Sequence, residues 1–120
     1  RTREARLRYD AALRQVEAAR RGADRTARAA FLAVTSSVRQ VRALNKAVTA
    51  SESALEAKQE GFSAGLNTNL DVLDAQRDLF EAKRDYLQAR YEYILNRLRL
   101  RRAVGALVED NLQSADKWLR

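Results

Sequence analysis

Apolar residues recur every seven positions through the first half of the chain, and this repeat limits what the chain can fold into. The repeat comprises Ala27, Val34, Val41, Val48, Leu55 and Phe62, together with Ala30, Ser37, Leu44 and Ser51, each three positions after one of the first four. Such spacing places these side chains on one face of an α-helix that packs as a coiled coil. No proline interrupts the repeat, and Gly22 costs a helix only about 1 kcal/mol. The pattern therefore predicts one unbroken helix over residues 2–60.

A second stripe of side chains lies beside the first on this helix, and a second helix repeats the arrangement. On the first helix, the alanine stripe consists of Ala43, Ala47, Ala50, Ala54 and Ala57. On a helix predicted over residues 68–104, one apolar set comprises Leu73, Phe80, Leu87 and Ile94, and a mixed set comprises Val72, Ala75, Leu79, Ala82, Tyr86, Ala89 and Tyr93. Two packing faces on each helix predict a neighbour on each side, as in a wall or a closed ring of helices. A single broad apolar face in a helical bundle is the alternative.

The stretch GFSAGLNTNLDVLD, which begins at Gly61, separates the two helices. Gly61 is expected to end the first helix in the left-handed conformation, and Gly65 adds a second permissive residue to the turn. Thr68 is expected to cap the second helix, with Asp71 three residues later as its capping-box partner. The predicted tip loop therefore covers residues 61–67.

These patterns predict an all-α fold, a long antiparallel helical hairpin of the coiled-coil type over residues 1–104. Arginines followed by Gly105 resemble a helix C-terminus. The final stretch, residues 105–120, is expected to form a short separate helix with Leu112, Ala115 and Leu119 on one side.

The residue types that most enzymes and metal sites use are missing. The chain has no cysteine and no histidine, so thiolate ligands, imidazole ligands and the usual general base are absent. No nucleophile lies beside a base. We therefore expect neither catalysis nor a cofactor or metal ion.

Positive charge is concentrated in the first half of the chain. The formal net charge is +7, and residues 1–60 contain 13 basic and 7 acidic side chains. Arginines that solvate one side of a long helix and pair with nearby acids explain this excess. A basic coiled-coil interaction module that binds nucleic acid is an alternative, but it requires arginines on one clear face, with interleaved aromatic residues. Arg20, Arg21, Arg25 and Arg28 do not form such a face, so no nucleic-acid partner is expected.

Acidic residues follow the break at helical spacing. The carboxylate stripe comprises Asp71, Asp74, Asp78, Glu81 and Asp85. In an isolated hairpin it is a solvated face whose repulsion is relieved by Arg77 and Arg84. If several hairpins close into a tube with this face inward, it forms stacked rings of negative charge, which attract cations and repel anions.

The segment EGFSAGLNTNLDVLDAQRDLFEAKRDYLQARYEYILNRLRLRRAVGALVEDNL closely resembles the TolC family of outer-membrane efflux and type I secretion proteins. The second helical hairpin of that family carries the pattern G-[YF]-x-x-G-x-x-x-x-x-D-V-L-D-A, then A-R-Y-x-Y, and ends in a G-x-L-x-E-x-L-like tail. The resemblance is closest over residues 54–112 and continues collinearly to the start of the chain.

The resemblance implies a trimeric duct whose helical hairpins close an α-helical barrel in the periplasm and whose β-strands, missing here, close a barrel in the outer membrane. This chain would be the second hairpin plus a short equatorial helix over residues 105–120. Asp71 and Asp74 match the aspartates that constrict the family's pore. The tip residues would meet a periplasmic adaptor protein that couples the duct to an inner-membrane pump; they are Gly61, Phe62, Gly65, Leu66, Asn67 and Thr68.

Two tip positions depart from the family pattern. Phe62 stands where a tyrosine is usual, and Asn67 where an arginine is usual, so the closed tip is expected to depend on other contacts here. A periplasmic adaptor hairpin is a further alternative, because adaptors also present long hairpins to the tips of such ducts. The D-V-L-D-A run of residues 71–75 argues against it.

Overall fold

The computed structural model describes residues 2–106, which form two α-helices, α1 over Thr2–Ser63 and α2 over Asn69–Ala103. No strand occurs among these described residues, so the prediction of an all-α fold is confirmed. α1 is unbroken across Gly22, as the seven-residue repeat predicts. Of the short helix expected over residues 105–120, everything beyond residue 106 lies outside the described residues.

α1 extends beyond its predicted end at residue 60. Its last residue is Ser63, and Gly61 does not adopt the left-handed conformation expected of it. The chain reverses at Gly65, whose φ is 75°. One left-handed residue is enough to end a helix, so Gly61 remains helical and serves a different purpose, described below.

The chain divides into two compact units. The central unit is Val34–Asn96. The terminal unit contains residues from both ends of the chain, of which 2–33 and 97–106 are described.

The central unit is an antiparallel pair of helices. Asn96 Nδ2 donates a hydrogen bond to Ser37 Oγ at 2.7 Å, and Lys83 Nζ lies 3.0 Å from a Glu52 carboxylate oxygen. Ser37 precedes Glu52 in α1, whereas its partner Asn96 follows Lys83 in α2, so the two helices run antiparallel.

One face of each helix is withdrawn from solvent in this unit. Ser37, Leu79 and Ala89 are buried. The half-buried positions include most of the seven-residue repeat of α1 and of the mixed set of α2: Val34, Val41, Leu44, Val48, Ser51, Leu55, Val72, Ala75, Ala82, Tyr86 and Tyr93. Only three described residues of this unit are buried, so the core is thin, and most positions on each helix are exposed.

The terminal unit is mostly solvent-exposed over the residues described. Residues 2–21 are all exposed, while Ala27 and Ala30 are half-buried. An apolar groove there is lined by Ala27, Arg28, Phe31, Leu32, Leu100 and Val104. No helix among the described residues is both long enough and apolar enough to cross a membrane.

Candidate functional site

The loop that joins α1 to α2 is closed by backbone hydrogen bonds. The Gly65 N–H donates to the Phe62 carbonyl at 3.0 Å, and the Leu66 N–H donates to the Gly61 carbonyl at 2.7 Å. With Gly65 left-handed, this pair of bonds is a Schellman motif, which satisfies carbonyls at the end of α1. α2 ends in the same way at Gly105, with φ 71°. The loop is therefore a defined turn.

Asn67 folds back over the end of α1. Its backbone N–H donates to the Gly61 carbonyl at 3.2 Å, and its side-chain amide lies 3.5 Å from the Lys58 carbonyl. A Cβ added at Gly61 would collide with the Asn67 amide nitrogen. Gly61 therefore leaves room for the Asn67 side chain where it lies, and it is not the residue that reverses the chain.

A capping box begins α2, as predicted. The Thr68 hydroxyl and backbone N–H both donate to one carboxylate oxygen of Asp71, at 2.6 and 2.7 Å, and the Asp71 N–H donates back to Thr68 Oγ1 at 3.2 Å. These hydrogen bonds, helped by the positive charge of Lys58, hold the pKa of the Asp71 carboxyl below its ordinary 3.8. Asp71 is therefore a fixed negative charge at the start of α2.

Asp74 lies one helical turn after Asp71 and takes no part in the capping box. Its carboxylate is exposed and lies 3.6 Å from Arg77, which is also 3.7 Å from Asp78. Exposed pairs of this kind contribute little to stability. Part of the carboxylate stripe is thus relieved by arginines, and Arg84 pairs with Asp85 in the same manner at 3.1 Å.

The first carboxylates of the stripe face α1 across an open groove. The groove is lined by Ser51, Ala54, Lys58, Asp71, Asp74, Ala75 and Asp78. Three carboxylates and one lysine give the groove a net negative charge. Ala54, which also lines it, belongs to the alanine stripe. The carboxylate stripe and the alanine stripe therefore share this side of the central unit.

Both helices of the central unit carry exposed packing faces. All five members of the alanine stripe are exposed. On α2, Leu73 is 53% exposed, Phe80 72% and Leu87 53%. These faces lie outside the contact between α1 and α2, which uses the seven-residue repeat of α1 and the mixed set of α2.

Apolar side chains are exposed at the tip as well. Leu66 follows the left-handed glycine and is 83% exposed, and Leu70 is 67% exposed in the first turn of α2. Phe62, in the last turn of α1, is 49% exposed. Of the predicted tip residues, only Gly61 and Asn67 are half-buried, because they contact each other.

Sequence reasoning did not identify two features of this region. Lys58 faces the carboxylates across the groove, and Ser37 accepts a part-buried cross-helix hydrogen bond from Asn96. Lys58 lies one helical turn before Gly61, and the chain reverses soon after it. This position could have predicted that Lys58 faces the carboxylates at the start of α2. Nothing local to Ser37 or Asn96 indicated their pairing. Within residues 2–106, no cluster of acidic, histidine or cysteine side chains is arranged to hold a metal ion.

Comparison of the sequence with models of protein families identifies a family. The sequence model of a family described as outer membrane efflux protein matches residues 1–106. The match includes both helices, the tip loop and every residue of the groove. No curated protein matches the chain.

Proposed function

The chain belongs to the outer membrane efflux protein family, and we propose that it forms one periplasmic hairpin of a trimeric exit duct for efflux or type I secretion. In this proposal the parent protein resides in the outer membrane and closes its barrel there with β-strands from elsewhere in its sequence. The segment described here lies in the periplasm.

The observation that carries the proposal is the pair of exposed faces on the central unit. In an isolated two-helix protein, an exposed alanine stripe on one helix and exposed large apolar residues such as Phe80 on the other add no stability. Exposed contiguous apolar surface marks an interaction site. Small residues allow a neighbouring helix to approach closely, and large residues supply side chains that pack between those of a neighbour. A closed ring of hairpins uses both faces.

The aperture is assigned to Asp71 and Asp74. Both lie in the first two turns of α2, directly after the tip loop, and both line the groove with Lys58. Repeated in every subunit, they form a ring of carboxylates at the periplasmic entrance. Such a ring raises the local concentration of cations and excludes anions.

The tip is assigned to docking of a periplasmic adaptor, which links the duct to an inner-membrane pump. Its exposed Phe62, Leu66 and Leu70 provide an apolar surface. Asn67 is held within its own hairpin by Gly61 and Lys58, so it does not supply the inter-subunit charge contact of an arginine. The closed tip of this protein therefore rests on apolar contacts more than on ion pairs.

The aperture is tested by Asp74→Asn in the full-length parent protein reconstituted in a planar bilayer. We expect lower cation selectivity and weaker block by multivalent cations, because one carboxylate per subunit is removed. Trimer formation and helicity should be unchanged, since Asp74 makes only an exposed ion pair with Arg77.

The matched control is Glu56→Gln, which removes an exposed carboxylate of α1 that is not part of the carboxylate stripe. It should leave selectivity and block at parental values. If Asp74→Asn and Glu56→Gln behave alike, the carboxylate stripe is a solvated face, and the aperture assignment is wrong.

A further inference from the structure

The apolar groove of the terminal unit contains two large side chains that the packing faces of α1 do not explain. Phe31 and Leu32 line this groove and are 60% and 66% exposed. The seven-residue repeat passes them at Ala30. The alanine stripe, continued in phase toward the start of α1, passes through Ala33 and Ala29 and misses them as well. Phe31 and Leu32 therefore lie outside both packing faces of their helix.

The lining of the groove indicates what kind of occupant fits it. Leu100 and Val104 of α2 complete the groove, and Val104 is 57% exposed. Arg28 is the one charged side chain among the described residues that line it, and its guanidinium pairs with Asp24 at 2.9 Å. Exposed apolar concavities of this kind mark interaction sites. The groove is therefore suited to the apolar side chains of another segment.

The remainder of the chain begins beside this groove. At the end of α2, Gly105 is left-handed with φ 71°, and the Ala106 N–H donates to the Arg101 carbonyl at 2.8 Å, so the backbone turns back over the last turn of the helix. Residues 107–120 lie outside the described residues and start three positions after Val104. So short a tether gives a segment an effective concentration on the order of millimolar, which populates even weak docking.

The sequence of residues 107–120 contains an apolar face of its own. Val108, Leu112, Ala115 and Leu119 follow one another at spacings of four, three and four residues, so a helix would place them on one side. Trp118 is next to Leu119 in the chain. This segment therefore supplies the apolar side chains that the groove is suited to.

Net charge favours this segment over a second copy as the occupant. The described residues of the terminal unit, 2–33 and 97–106, contain twelve arginines and four carboxylates, a net charge of +8. Residues 107–120 contain three acidic and two basic side chains, a net charge of −1. A second terminal unit would bring another large positive charge to the same surface, and like charges repel.

We propose that residues 107–120 fold back at Gly105 and dock in the groove, with the face that contains Leu112 and Leu119 against Phe31 and Leu32. The docked segment covers apolar surface that neither packing face of α1 uses, and it ties the end of α2 to α1 within the terminal unit. This docking depends neither on the proposed duct nor on its aperture.

Trp118 makes the docking measurable because it is the single tryptophan of the chain. Acrylamide quenching of its fluorescence is measured in the 120-residue chain and compared with N-acetyltryptophanamide, a fully exposed indole. We expect Trp118 to be shielded in the parent, to the same degree at every protein concentration. Phe31→Ala and Leu32→Ala combined should raise its quenching toward the reference, since each removed side chain weakens apolar docking roughly tenfold.

The matched control is Phe80→Ala and Leu87→Ala combined, which removes the same pair of side chains from the central unit, where they are 72% and 53% exposed. It should leave the quenching of Trp118 at the parental value. Circular dichroism of both double variants checks that helicity is unchanged.

Four results would overturn the proposal. A parental Trp118 as quenchable as the reference would show that the segment is undocked. Unchanged shielding in the groove variant, or equal exposure in the groove and control variants, would place the segment elsewhere. Shielding that is lost on dilution, with dimers detected by light scattering, would assign the groove to a second copy. Unchanged ion selectivity in Asp74→Asn would refute the aperture and leave this docking standing.

Discussion

At the scale of single residues, the tip is defined by a few side chains with separate duties. Gly65 supplies the left-handed conformation, Gly61 makes room for Asn67, and Thr68 caps α2. Asp71 combines two duties, because the carboxylate that completes the cap is also the charge proposed for the aperture. Asp74 carries charge without a role in the cap, so it is the cleaner probe of the proposed aperture.

Thr68→Ala tests the coupling between the cap and the charge of Asp71. We expect a loss of about 1 kcal/mol in the free energy of unfolding, measured by urea denaturation. The pKa of Asp71, followed by carbon NMR, should rise toward its ordinary value because the hydroxyl bond that lowers it is gone. Thr68→Ser retains the hydroxyl and should change neither quantity appreciably.

The same cap gives stability a defined pH dependence. The folded pKa of Asp71 is depressed, so the cap's contribution is complete above pH 3.8 and is lost as the pH falls through the folded pKa. In Thr68→Ala the acid side of the stability profile should therefore be flatter than in the parent. A parallel profile would contradict the role given to Thr68.

At the scale of helices, each element has one face used within the hairpin and one left exposed. Ala89 is 2% exposed and sits where α1 and α2 meet, whereas Ala50 lies in the exposed alanine stripe. Ser37 and Asn96 place a polar contact in the same buried face. In coiled coils, a polar pair at a core position selects one alignment of the helices at some cost in stability.

A pair of matched substitutions separates the two faces. Ala89→Leu should overpack the contact between the helices and lower the free energy of unfolding by about 1–3 kcal/mol. Ala50→Leu in the same chain should change it by less than about 0.5 kcal/mol, because an exposed site tolerates the larger side chain. Chemical denaturation of the two variants measures both values, and similar losses would mean that the alanine stripe is covered in this chain.

At the scale of the whole molecule, the core is thin, so much apolar surface remains that could pack against other copies of the chain. Only Leu79 and Ala89 are buried apolar residues among those described. Long helices with so little shared core owe most of their stability in a protein to tertiary packing beyond the pair. In the proposed ring of hairpins, neighbouring copies supply this packing.

Assembly is tested with Ala50→Leu, the substitution that the isolated chain is expected to tolerate. In the full-length parent, Ala50→Leu should reduce the trimer fraction, measured by size-exclusion chromatography with light scattering, because a neighbouring helix can no longer approach closely. Ala50→Ser keeps the side chain small and should assemble nearly as well as the parent. Equal assembly of the two variants would remove the alanine stripe from the subunit interface.

The sequence by itself determined the features that depend on neighbours a few residues apart. The unbroken α1, the turn near Gly65 and the capping box of Thr68 follow from helical periodicity, backbone freedom and hydrogen bonds within one turn. The family resemblance came from the same local stretch, since the tip motif and its aspartates are contiguous.

Only the tertiary structure decided which of two plausible stripes each helix buries and which it exposes. It also decided that Gly61 accommodates Asn67 instead of ending α1, and that Ser37 meets Asn96. The physical reason is that periodicity shows that two faces exist but does not rank them. Their ranking depends on the fit between side chains that lie far apart in the sequence and meet only when the helices pair.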